Sequence, residues 1–164
     1  MEKHMIIIVN EKDELIGHKE AGTLEQKDIY RVSALWLTNS KGEILLARRH
    51  RNKRHHPGMW GPAVAGTVDK GESYEDNIIK ETEEEIGMKN TKPKLGPKVR
   101  RTGEYEHFTQ WYFLTIDKEA SEFKIQEEEV EEVKWFSKEE LINSLNSAFE
   151  KFLPSMPGYL ELFK

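Results

Sequence analysis

An α/β fold is predicted by three stretches of the chain. Residues 73–88 read as one capped amphipathic helix with its own stop signal. Ile29–Leu37 and Glu43–Arg49 read as two strands joined by a turn, and Ser137-Lys-Glu-Glu140 opens a second helix behind further strands. Helices interleaved with strands in this way bury their apolar faces by layering on a sheet.

In order, Met5–Val9 is the first strand, and Asn10–Gly17 a turn with a short return strand. His18–Lys27 is polar and reads as a loop. Ile29–Leu37 carries a buried patch that includes Val32, Ala34, Leu35 and Trp36. Asn39-Ser-Lys-Gly42 turns the chain, and Glu43–Arg49 returns antiparallel through Ile44, Leu45 and Leu46. A glycine turn at Gly66 leads into the first helix. Ser73 is its N-cap, Asp76 completes a capping box, and Gly87 supplies the stop. Ile78, Ile79, Thr82 and Ile86 form its apolar stripe. Lys89–Pro97 reads as a loop, and Val99–His107, Thr109–Asp117 and Glu129–Trp135 as strands. The second helix starts at a capping box, buries Leu141, Leu145, Phe149 and Phe152, and stops at Pro154 and Pro157. Tyr159–Phe163 either packs as a short helix or meets a second copy, which leaves a homodimer open.

With 164 residues, 37% hydrophobic and 34% charged, the chain is expected to form one globular domain over 1–164. It has no cysteine, which excludes disulfides, thiolate metal sites and cysteine nucleophiles. No run reaches the roughly 20 apolar residues of a membrane span, and Ile6–Val9 is too short for a signal-peptide core. A cytoplasmic protein is therefore expected, with no membrane partner. A net charge of −5 gives no support for a nucleic-acid partner.

Two features point to chemistry. Glu81, Glu84 and Glu85 share one side of the first helix, where like charges at i, i+3 and i+4 cost stability. The bland explanation is a solvated acidic face; the alternative is a hard divalent cation with oxygen ligands. Arg48–His56 packs five Arg or Lys and three His into nine residues. It is either a solvated basic loop or a binding surface for phosphate oxygens. Glu104 and Glu106 share a face if their segment is a strand. Glu129 is a further carboxylate for a metal or a water, whereas Glu127, Glu128, Glu131 and Glu132 read as solvated. Trp60, Tyr105, Phe108 and Trp111 either stack on a substrate ring or sit in the core.

Gly66, Glu72, Glu81, Glu84, Glu85, Gly87 and Met88 stand in the register of the Nudix box, G-x5-E-x7-R-E-U-x-E-E-x-G-U, where U is bulky and apolar. The chain resembles the Nudix hydrolase family on this ground. Two positions depart from the pattern: Lys80 stands for the arginine and Thr82 for an apolar residue. The resemblance implies the Nudix fold, an α/β/α sandwich with a mixed β-sheet. It implies hydrolysis of a diphosphate linkage in a nucleoside di- or triphosphate or a related X-linked nucleoside diphosphate, with Mg²⁺ or Mn²⁺. Glu81, Glu84, Glu85 and the Gly66 carbonyl would hold the metal, and Glu81 or Glu106 would take a proton from the attacking water. Glu72 would brace the site through Lys80.

Residues 45–60, LLARRHRNKRHHPGMW, are further similar to isopentenyl diphosphate isomerase and isomerase-like Nudix hydrolases. In that register Arg49 and Lys53 would bind the substrate diphosphate. The isomerase's cysteine position holds Ala65, and two of its metal-histidine positions hold Thr67 and Tyr30. The resemblance thus implies a hydrolase on an isomerase-like frame, with isomerisation disfavoured. A nucleotide-sensing module without catalysis is the alternative that Lys80 raises.

Overall fold

The computed structural model describes residues 4–163. Nine strands form one mixed sheet: β1 Met5–Val9, β2 Leu15–Glu20, β3 Ile29–Thr38, β4 Ile44–Arg49, β5 Trp60–Pro62, β6 Val64–Thr67, β7 Lys94–Arg101, β8 Glu106–Thr115 and β9 Val130–Phe136. The helices are α1 Tyr74–Ile86, α2 Lys138–Ser147 and α3 Met156–Leu162.

Strand β3 is the axis. It runs parallel to β8 from Ile29 opposite Glu106 to Thr38 opposite Thr115, and antiparallel to β6 from Val32 opposite Thr67 to Leu35 opposite Val64. Alternation along β3 then sorts two cores. Ala34 and Trp36 join Trp111, Phe136, Leu141, Leu145 and Met156 on one face; Leu35 and Leu37 join Leu45, Ile78 and Ile86 on the other. Helix α1 therefore covers one face and α2 with α3 the opposite one. This is the expected α/β/α sandwich with a mixed sheet.

The turn at residues 39–42 joins β3 to β4 as expected, but the two strands pair only at Thr38 and Ile44. Beyond that point they diverge. Strand β4 finds β9 on one side and β5 on the other, while β3 takes β6. Strands β5 and β6 are too short and too rich in Gly and Pro for periodicity to reveal them. Gly66 thus lies on a strand rather than in a turn.

Other boundaries also differ from the sequence-based expectation. Strand β2 continues to Glu20, into the stretch read as loop, because β1 pairs with it from Met5 opposite Glu20. Strand β7 begins at Lys94 and ends at Arg101, so Val99–His107 is not one strand and residues 102–105 form a loop. Helix α1 has the reciprocal capping box: Asp76 N–H donates to Ser73 Oγ at 3.0 Å, and Ser73 N–H to the Asp76 carboxylate at 3.1 Å. At α2 only half of that box forms. Glu140 N–H donates to Ser137 Oγ, but the Glu140 carboxylate accepts from Lys134 at 2.7 Å instead. Helix α2 stops at Ser147, before either proline. Phe149 is 47% exposed, and Phe152 is buried from a separate segment.

The apolar tail is used within the chain. Tyr159 and Phe163 meet Trp111 edge-on at 4.7 and 4.9 Å between centroids, and Phe163 lies 4.6 Å from Trp36. Phe163→Ala is expected to lower unfolding free energy by about 2 kcal/mol, less than a fully buried Phe would lose. Urea denaturation that leaves the midpoint unmoved would mean the tail does not pack in solution.

Candidate active site

Helix α1 lies against β6, with Glu81 and Glu85 on the side that meets that strand. Gly66 sits on β6 opposite Ser33, and a Cβ built there would fall 2.5 Å from Glu81 Cγ and 2.7 Å from its Cδ. The missing side chain is what lets the Glu81 carboxyl lie across the strand. One turn on, Glu85 accepts the Ala65 N–H at 3.4 Å. Glu84 is exposed on the flank of the same helix. Burial, with the nearby Glu84 charge, pushes the Glu81 carboxyl up to about 7. Burial and the Glu81 charge push Glu85 up to about 8. Two carboxyls are thus held where their own charge is disfavoured. Among the described residues, no three His, Asp or Glu side chains are already gathered around one point as a metal-ligating group, so Glu81, Glu84 and Glu85 would have to turn toward an ion to share it.

Behind these carboxyls lies a polar brace. Lys80 Nζ is 2.8 Å from Glu72, 3.1 Å from Asp69 and 3.9 Å from Glu81. Burial works against the ammonium, but the bonds to Glu72 and Asp69 outweigh it and raise its pKa. Glu72 also accepts Asp69 N–H at 2.8 Å and the Asn77 amide at 3.1 Å. Asn77 is fully buried on α1; it donates to the Thr67 carbonyl and accepts from the Ser33 hydroxyl. Sequence reasoning passed over Asp69 and Asn77. A polar residue beside Ile78, in a helix read for its apolar stripe, was the available signal for Asn77.

The parting of β3 from β4 opens a cleft lined by Ala47, Arg49, Gly61, Ala65, Glu85 and Glu129. Arg49 Nε donates to the His55 carbonyl at 2.9 Å, and among the described residues no carboxylate lies within 4 Å of its guanidinium. Burial lowers its pKa, against the opposing charges of Glu129 and Glu85. Lys53 lines the same cleft but is ion-paired to Glu129. Two more cations of the basic segment are also matched: Arg51 meets Glu131 at 2.7 Å, and Arg48 meets Glu131 and Glu132 at 3.0 Å each. Glu131 and Glu132 were expected to be solvated. They clamp the basic loop, which the structure brings alongside them through the pairing of β4 with β9.

Glu106 belongs to a different neighbourhood. It opens β8, accepts Gly103 N–H and Arg100 Nη2 at 2.8 Å each, and shares Arg100 with Glu11. Those bonds hold its carboxyl below the usual range, the Gly103 amide first. Glu104 lies in the preceding loop, so the two do not share a strand face. Of the aromatic candidates, Phe108 and Trp111 are core, Trp60 packs edge-on to Phe136, and Tyr105 bonds His55 at 2.6 Å. Tyr30 stacks beside His107, 5.2 Å between ring centres.

The raised carboxyls carry a pH signature. A carboxyl near 7 or 8 when folded and near 4.5 when unfolded binds more protons in the native state between those values. Stability without divalent cations should therefore be fullest below about pH 4.5 for these two groups, and fall as pH rises toward 8. Glu81→Gln and Glu85→Gln should each flatten that slope in urea titrations run with a chelator; slopes like the wild type's would refute the assignment.

Comparison with known proteins agrees with this architecture. The NUDIX domain profile matches residues 28–156. An uncharacterised Nudix hydrolase of Listeria monocytogenes is 30% identical over 153 residues, covering 90% of this chain and 86% of that protein. Isopentenyl-diphosphate Delta-isomerase of Escherichia coli is 28% identical over 148 residues, covering 82% and 80%. In fold, a Deinococcus radiodurans crystal structure superposes with a TM-score of 0.82 at 22% identity, over 98% of this chain and 99% of that one. A Caenorhabditis elegans Ap4A hydrolase complex gives 0.58 at 19%, over 82% and 94%. With the domain profile spanning most of its length and a 30% identical relative covering nine-tenths of it, the chain belongs to the Nudix hydrolase family.

Proposed function

We propose that this chain is a metal-dependent pyrophosphohydrolase that cleaves the diphosphate linkage of a nucleoside di- or triphosphate or a related X-linked nucleoside diphosphate. The observation that carries this reading is the pair Glu81 and Glu85. Both are partly buried and pushed up by burial, Glu81 further by the charge of Glu84 and Glu85 further by that of Glu81. Glu85 lines a cleft that also holds Arg49, whose guanidinium has no ion-pair partner among the described residues.

The donor set suits a hard cation, Mg²⁺ or Mn²⁺. Glu81 and Glu85 are oxygen donors destabilised by their own charge, Glu84 stands close enough to raise Glu81 further, and the Gly66 position is kept free of a side chain. Glu81, Glu84, Glu85 and the Gly66 carbonyl would hold the ion. When bound, it would neutralise charge on the phosphate oxygens and make water a better nucleophile. Arg49 binds the diphosphate through a guanidinium that no carboxylate among the described residues occupies. Lys53 contributes after exchanging Glu129 for a phosphate oxygen. Glu81 takes the proton from the attacking water, since Glu106 is committed to Arg100 and Gly103. Lys80 and Glu72 brace the helix against the loop before it.

Similarity to the isomerases favours a second reading, isomerisation of isopentenyl diphosphate. Ala65 in the cysteine position and the absence of cysteine anywhere in the chain oppose it. Proton transfer to and from an alkene needs an acid and a base at that place.

A panel of nucleoside diphosphates, triphosphates, nucleotide sugars, dinucleotides and prenyl diphosphates, each with Mg²⁺ or Mn²⁺, tests the proposal. Phosphate or nucleotide release is expected from a nucleotide substrate; isomerisation without hydrolysis would overturn it. Glu84→Gln should keep the fold and lose at least about 10²-fold in turnover. Arg49→Ala should reduce kcat/KM by about 10²-fold, and Lys53→Ala by about tenfold, because Lys53 is already ion-paired to Glu129 whereas Arg49 has no ion-pair partner among the described residues. A larger loss at Lys53 than at Arg49 in steady-state kinetics would reverse that ranking.

A further inference from the structure

The lysine that departs from the Nudix motif is surrounded in a way that a single bracing contact does not explain. Its ammonium is within 3.1 Å of two carboxylates, Glu72 and Asp69, and stands back from a third, Glu81, at 3.9 Å. An ammonium is a point charge with three rotatable donors, and the anions around it decide where it points. A guanidinium is different: two parallel N–H groups can grip both oxygens of one carboxylate and fix its own direction. With Glu72 as the sole partner, the nearest competitor for Lys80 would be Glu81, its neighbour on the helix. Contact with Lys80 would neutralise the carboxylate that rests on Gly66.

Asp69 is placed to prevent this, and its own position is set from outside the motif. Its side chain is paired with His4 as well as Lys80, and its N–H donates to Glu72 at 2.8 Å. Its backbone bridges to Ile6, and the next residue, Lys70, donates N–H to the Met5 carbonyl at 2.9 Å. Strand β1 thus fixes one end of the brace, independently of α1. We infer that Asp69 is a positioning residue that holds the Lys80 ammonium against Glu72 and off Glu81, making good the directionality that a lysine lacks at this place. Asp69 is not among the residues proposed to hold the metal or the substrate. The inference rests on the proposed role of Glu81 as a metal ligand.

The test is direct Mn²⁺ binding by calorimetry on the full chain, with urea midpoints measured alongside. Asp69→Asn frees Lys80 to approach Glu81, and Mn²⁺ affinity should fall about tenfold, at the low end of the range for groups that orient metal ligands. In a Lys80→Arg background the same Asp69→Asn change should cost less than about threefold, because the guanidinium holds Glu72 unaided. Equal Mn²⁺ affinity in wild type and Asp69→Asn would overturn the inference, as would a tenfold loss that persists beside Lys80→Arg. A double variant that fails to fold would assign Asp69 to the fold and overturn it too. Wild-type protein that takes up no Mn²⁺ would defeat the proposed function instead, so the two failures are distinguishable.

Discussion

Strands β3 and β4 share a turn and one backbone pair, and the cleft exists because they share no more. Each strand still satisfies its main-chain groups, as buried backbone must. Strand β3 does so with β6 and β8, and β4 does so with β5 and β9. The sheet therefore stays hydrogen-bonded on both sides of a gap into which side chains from several elements converge. Glu85 reaches it from α1, Arg49 from the end of β4, and Glu129 from just before β9. None of the three is near another in sequence.

Charge balance gives the cleft its character. The basic segment that looked like a reservoir of free cations is mostly spent: Arg48, Arg51 and Lys53 are each paired with a glutamate of residues 129–132. Those pairs are partly exposed and individually worth little, about 0–1 kcal/mol. Several together nonetheless fix the loop that carries Arg49. On the other wall, no cation among the described residues lies within 4 Å of Glu85, and the one nearest Glu81, Lys80 at 3.9 Å, bonds more closely to Glu72 and Asp69. The cleft thus sets Arg49, beside the Lys53–Glu129 pair, against Glu85, a carboxyl that resists ionising, an arrangement suited to a divalent ion and an anionic substrate together.

Glu106 shows how local patterning misleads. Two acidic residues around Tyr105 share a face only if the segment is extended, and Gly103, at φ 126°, instead belongs to a loop between two strands. Arg100, six residues earlier on β7, then takes Glu106. Nothing in the alternation of Glu and Tyr announces that partner.

What the sequence determined by itself was whatever is written within a few residues: the caps and stripe of α1, the ends of β1, the turn between β3 and β4, and the register of Gly66, Glu72, Glu81, Glu84 and Glu85. Helix signals are local because the bonds that make a helix join residues four apart. Tertiary structure alone decided the rest. Strands β5 and β6 exist because longer strands offer them edges. Lys53 meets Glu129 across 76 positions, and Lys80 has Asp69 beside it because β1 pins the loop before α1. Partnerships over such separations come from the packing of elements, and the residue order on either side does not encode them.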